Sequence, residues 1–139
     1  MANREIFVTD VDLDKLTNLL AAVGRGDPRD REHIERLEAE LERAHIVTPA
    51  DVPPDVVTMN SEVQVRNLTT GETQVFTLVF PAEANVDLKK VSVLAPIGMA
   101  VLGYRVGDVI EWTVPAGTRR LEIERVLYQP EAAGAHSGQ

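Results

Sequence analysis

The sequence predicts an α+β chain: a short helical hairpin followed by an antiparallel sheet curled over one small helix. Three observations carry this. In the first fifty positions apolar residues recur at 3-4-3 spacing in two separate runs, the periodicity of a helix face. Beyond residue 55 the period falls to two, as half-buried strands require. Within the strand region, Pro96 opens a brief run with Ile97, Ala100 and Val101 on one helical face.

Taken in order, Ile6-Phe7-Val8 is a short apolar run, read as an edge strand or a lead-in beneath the first helix. Thr9 and Asp12 have capping-box spacing, and Asp10, Asp12 and Asp14 put negative charge at a helix start. Leu13, Leu16, Leu20 and Val23 then form a narrow stripe, and Gly24-Arg25-Gly26 breaks it. Asp27 is a candidate cap for the second helix, with Pro28 at the first helical position. Ile34, Leu37, Leu41 and Ala44 repeat the stripe, so the two helices are expected to pair antiparallel as a coiled coil. About a dozen and about sixteen residues reach only ~18 and ~25 Å. The faces away from the seam, including Glu32, Arg36, Glu38, Glu40 and Glu42, read as solvated.

His45 to Asp55 holds three prolines in eleven residues (HIVTPADVPPD) and is expected to be a linker, neither helix nor strand. It divides the chain into an N-terminal hairpin, 1–48, and a C-terminal domain, 49–139, with a flexible tail at 134–139. Val56–Met59 is the first expected strand, closed by Asn60-Ser61. Val63 and Val65 alternate with polar residues, Thr69–Glu72 turns the chain, and Thr73–Phe80 continues the sheet. Pro81–Asp87 is a loop with room for one helical turn. The stretch Val91–Gly117 (VSVLAPIGMAVLGYRVGDVIEWTVPAG) supplies a strand, the proline-started helix, glycine turns and a further strand. Its glycines are explained by backbone geometry. Val109–Val114 and Leu121–Tyr128 are the last strands, joined through Pro115-Ala116-Gly117.

The composition bounds function. Of the residues 44% are hydrophobic and only 4% aromatic, so the core is aliphatic. With no cysteine, thiol nucleophiles, disulfides and cysteine-ligated metals are excluded, which fits a reducing cytoplasm. No apolar run has the length of a membrane helix or signal peptide, so no membrane role and a cytoplasmic location are expected. The net charge of −8 is spread evenly, with seven basic and eleven acidic residues on each side of residue 50. Neither side offers the basic field that phosphate backbones require, so direct nucleic-acid binding is not expected. His33, His45 and His136 lie far apart, in helix, linker and tail, and no metal, cofactor or catalytic residue is assigned. No feature demands more than a monomer.

The run Ala95-Pro96-Ile97-Gly98, Ala100, Leu102-Gly103 and Val106-Gly107-Asp108 resembles the domain shared by bacterial Gre-type transcript-cleavage factors (GreA/GreB) and the Rnk regulators. Within that group, Pro54–Ser61, Thr77–Pro81 and Tyr128–Ala133 resemble the Rnk, or regulator of nucleoside diphosphate kinase, family. The resemblance covers nearly the whole chain. It implies a coiled coil on a domain of prolyl-isomerase-like (FKBP-like) architecture, and RNA polymerase as partner, bound at the rim of its secondary channel. It makes Leu94, Ala95 and Pro96 the docking candidates, although cleavage factors favour Asp-Ser where this chain has Leu94-Ala95. Two tip carboxylates hold a metal in cleavage factors. Here Asp27 and Asp30 are the acidic candidates at the tip, without the adjacent Asp-Glu pair, so the metal site is not carried over. The expected function is non-catalytic regulation of transcription. A cleavage factor proper is the alternative, and peptidyl-prolyl isomerase activity is the second, disfavoured by the scarcity of aromatic residues.

Overall fold

A three-residue parallel ladder holds the base of the helical pair. The structure, a computed structural model, describes residues 6–23, 28–114 and 117–132. Strand β1 (Phe7–Thr9) runs straight into helix α1 (Asp10–Val23), and helix α2 (Pro28–Arg43) into strand β2 (His45–Val47). The strands pair in parallel, Phe7 with His45 and Thr9 with Val47, so the start of α1 and the end of α2 lie side by side. Thr9 Oγ1 accepts the Asp12 amide at 3.0 Å, the capping bond expected from the sequence. The residues from His45 were expected to form no strand. Their strand exists because β1 supplies a partner distant in sequence, which a local reading cannot find. Asp27 lies outside the described residues, so its role as a cap is not addressed.

The main sheet has five strands in the order β5-β4-β3-β7-β6. They are β3 (Glu62–Asn67), β4 (Thr73–Val79), β5 (Lys90–Ser92), β6 (Val109–Val114) and β7 (Gly117–Tyr128). The sheet is not purely antiparallel as expected: β5 runs parallel to β4, with Leu78 opposite Val91. Two 3₁₀ turns, Pro81–Glu83 and Val86–Leu88, carry the chain back so that it re-enters beside β4 in the same direction. Strand β7 begins at Gly117, earlier than expected, because its first half pairs with β6 and its second half with β3.

Val56–Met59 is not a strand. Its residues are consecutively buried, with Val56 and Val57 at 0% exposure and Met59 at 1%, but it joins no ladder beyond a single bridge from Val56 to Arg105. Buried backbone must still be paired. Val57 exchanges both of its backbone bonds with the Gly103–Tyr104 turn, and the Thr58 amide donates to Ser61 Oγ. The Met59 amide donates to Asp12 on α1. The segment threads between helices and sheet instead of joining the sheet.

Leu16, Leu20, Leu37 and Leu41 from the helices form one contiguous core with Val63, Phe76, Leu78 and Ile123 of the sheet, Val101 of the third helix and Leu102 just after it. That helix, α3 (Pro96–Val101), lies against both β5 and β6. Glu40 departs from the solvated face predicted for α2. It is half-buried, its carboxyl held above the ordinary range mainly by burial, with the Tyr104 hydroxyl 3.5 Å away.

Two glycines set how closely the elements approach. A Cβ on Gly98 would overlap the Ser92 carbonyl, so α3 lies directly on the end of β5. Gly103 combines φ +84° with a would-be Cβ 2.8 Å from Ile6 Cβ, and its carbonyl accepts the Phe7 amide at 3.0 Å. By contrast Gly71 needs only its positive φ and has open space around it. Gly98→Ala is therefore expected to cost about 1–3 kcal/mol or more through overpacking against immobile backbone. In urea unfolding it should exceed the loss caused by Gly71→Ala; equal losses would show that α3 can move off β5 freely.

Candidate functional site

The loop joining β5 to α3 is shaped by one side chain. Ser92 Oγ accepts the Leu94 amide at 3.0 Å, and the Ser92 carbonyl accepts the Ala95 amide at 3.0 Å. Ala95 then occupies the cap position of α3 in extended geometry, with no side-chain cap bond, and Pro96 takes the first turn. Helical bonding begins with the Met99 amide on the Ala95 carbonyl at 2.9 Å. The three candidate docking residues are thus contiguous on a rigid corner. Leu94 and Ala95 are half-buried, Leu94 packing against the core. Of the tip candidates, Asp27 lies outside the described residues, and Asp30 is in α2 with its side chain undescribed. Among the described residues no group of three His, Asp or Glu is placed to hold a metal, and no helix is long and apolar enough to cross a membrane.

A second polar constellation went unrecognised in the sequence. Asp12, only 8% exposed, accepts the Met59 amide on Oδ2 at 3.2 Å. The Thr58 hydroxyl donates to Glu131 Oε1 at 2.7 Å and lies 2.8 Å from Ser61 Oγ. Burial pushes the Asp12 carboxyl up to about 6, and the negative charge of Glu131 adds to it; the Met59 amide, Lys15 and Thr9 oppose. Next to this, Gln129 Nε2 donates to the Pro53 and Val56 carbonyls at 2.8 and 2.9 Å, while its Oε1 accepts the Ala132 amide. The C-terminal Tyr128–Glu131 run is therefore a clasp, tying the Pro53–Thr58 stretch to the end of β7, while Asp12 ties Met59 to the base of α1. The sequence alone gives Asp12 as a capping-box residue and helix-start charge. Its second partner is distant in sequence, and only the Thr58/Ser61 spacing gave a local signal.

Another link lies on the surface. Arg105 forms a two-pronged ion pair with Asp55, Nε and Nη2 each 3.2 Å from carboxylate oxygens, and its guanidinium sits 5.8 Å from the Phe7 ring centroid. Phe7 in turn stacks on His45 at 5.1 Å. This column joins the base of the helical pair to the Arg105 turn, although exposed ion pairs of this kind contribute only about 0–1 kcal/mol.

The corner that starts α3 and the sheet behind it fall in one family match, and the helical pair falls in another. Residues 52–128 match the family described as "Transcription elongation factor, GreA/GreB, C-term", and residues 4–47 match "Rnk N-terminus". With both matches on one chain, the protein belongs to the Rnk family, the regulators of nucleoside diphosphate kinase, within the wider GreA/GreB group. It is 44% identical over 136 residues to the "Regulator of nucleoside diphosphate kinase" of Escherichia coli K12, covering 96% of this chain and 97% of that one. To the "Transcription elongation factor GreA" of Alkaliphilus oremlandii it is 37% identical over 95 residues, 68% of this chain and 60% of that one. The solved structure of a "Prokaryotic transcription elongation factor GreA/GreB" from Nitrosomonas europaea superposes with a TM-score of 0.74 at 39% identity, covering 91% of this chain and 100% of that one. The chain is a regulator of the transcription-factor class.

The polar clasp has a pH signature. An Asp carboxyl raised from 3.8 to about 6 in the folded state favours folding when protonated. Its contribution is fully present below pH 3.8 and is lost as pH rises through about 6. Asp12→Asn keeps an acceptor for Met59 and removes the charge. It is expected to gain on the order of 2–3 kcal/mol relative to wild type at pH 8. That gain should vanish at pH 4, as read from urea unfolding across the range; a difference that does not change with pH would refute the assignment.

Proposed function

We propose that this protein is a non-catalytic regulator that binds RNA polymerase at the rim of the secondary channel through the Leu94-Ala95-Pro96 corner. Membership of the Rnk family supports the reading, and so does one observation about the helices. They have 14 and 16 residues, which span ~21 and ~24 Å at 1.5 Å per residue. We read them as a short antiparallel coiled coil, too short to carry a metal site into a buried catalytic centre. The modules divide as 1–48 and 49–139, the second with FKBP-like architecture. On this reading the protein works as a monomer in the cytoplasm, needs no metal or cofactor, catalyses nothing and makes no direct contact with nucleic acid.

The corner suits docking because little of it is free to move. Ser92 fixes the backbone on both sides of Leu94, and Gly98 holds the first turn of α3 onto β5. A preorganised loop loses little entropy when a partner covers it. Purified protein is expected to bind core RNA polymerase at micromolar concentration or tighter, and Ala95→Arg is expected to weaken binding by roughly tenfold or more through steric and charge conflict. In a stalled elongation complex it should leave the rate of transcript cleavage unchanged. Robust stimulation lost on Asp27→Ala or Asp30→Ala would make it a cleavage factor instead; no binding at micromolar concentration would refute the docking reading.

A further inference from the structure

An open groove of about 730 Å³ begins at the docking corner and runs along the β4–β5 edge of the sheet. Ala95 lines one end; Val75, Phe76 and Val91 line its apolar part, and Val86 stands at the far side. The turn that forms this far side is ordered by its own bonds. Asn85 and Lys90 exchange both backbone hydrogen bonds, at 3.0 and 2.9 Å, and Asn85 Oδ1 accepts the Leu88 amide at 3.3 Å. Lys89 adopts φ +58°, and its carbonyl accepts the Thr77 amide of β4 at 2.9 Å. This rigid turn nevertheless presents Val86 at 91% and Leu88 at 61% exposure. Apolar side chains held out by a well-bonded turn beside an apolar groove are the pattern of an interaction surface.

Charge identifies the occupant. Among the described residues Lys89 and Lys90 are the only charged ones lining the groove, in a chain whose net charge is −8. Neither is in an ion pair among the described residues. We propose that the groove binds an acidic amphipathic segment of the protein partner, apolar side chains against Val86 and Val91 and carboxylates against the two lysines. The inference rests on the docking reading, since Ala95 belongs to both surfaces, and it places the segment on RNA polymerase. A second copy of this chain fits poorly, because a two-fold contact would set the lysines against one another. Nucleic acid fits poorly as well: two lysines in a chain of net charge −8 do not make the extended basic field that a phosphate backbone requires.

The test is titration of purified core RNA polymerase with full-length protein at several salt concentrations. Val86→Ser with Leu88→Ser is expected to weaken binding by roughly tenfold at every salt concentration, as loss of apolar anchors does. Lys89→Gln with Lys90→Gln is expected to weaken it several-fold at low salt and to flatten its salt dependence. Leu68→Ser, an exposed apolar change in the β3–β4 turn, should have no effect, and thermal unfolding should show all variants folded. If wild type binds and both double variants bind equally well with the same salt dependence, the groove proposal is wrong and the docking reading survives. If wild type does not bind at all, both fall. If the lysine pair proves necessary for binding a single-stranded RNA oligonucleotide but not polymerase, the groove belongs to nucleic acid and the proposal is overturned.

Discussion

Val56–Met59 passes between the base of the helices and the sheet with both sides covered, so its amides have no water to turn to. A buried backbone group left unpaired costs about as much as a lost hydrogen bond or more. The surrounding structure is arranged around that demand. The Gly103–Tyr104 turn takes Val57, Ser61 takes Thr58, and Asp12 reaches from α1 to take Met59. The last bond joins the helical pair to the sheet through a carboxylate, and the desolvation of that carboxylate is the cost of the arrangement. Gln129 and Glu131 complete the enclosure from the C-terminal side.

This constraint ties the helices to the Leu94–Pro96 corner. The Gly103 carbonyl receives the Phe7 amide, while the Gly103 amide donates to Val57 at 2.8 Å, so one glycine touches the lead-in strand and the threaded segment together. One turn earlier, Gly98 lets α3 rest on β5. The corner at Leu94–Pro96 is therefore connected to the base of α1 by short backbone contacts through α3. A partner gripping the corner would meet the helices at a defined angle, since few soft side chains lie between.

The surface divides by charge in a way the overall composition conceals. Acidic residues dominate the chain, yet among the described residues lysines alone of the charged ones line the groove beside the corner. An evenly distributed negative net charge in general disfavours polyanions. On the proposed reading, a local basic lip over an apolar floor would select for an acidic partner segment without opposing that general repulsion. Affinity there would come from Val86 and Leu88, and orientation from the lysines.

The sequence by itself determined the α+β class, the two helices with Thr9 as a cap, the β3–β4 hairpin and the Pro96 start of α3. Each follows from periodicity or from a backbone preference local to a few residues. Tertiary structure alone decided the rest. His45–Val47 became a strand because β1 lay beside it, and Val56–Met59 lost its strand because helices and sheet closed on both of its sides. β5 turned parallel because two 3₁₀ turns returned the chain beside β4. Asp12, Thr58 and Glu131 gained their joint role, and Lys89 and Lys90 their groove, through neighbours far away in sequence. Local propensity acts over a few residues, whereas a buried amide takes whatever acceptor the fold brings to it. Spacing in the sequence therefore predicts helices and turns, but it does not show which carboxylate will be buried.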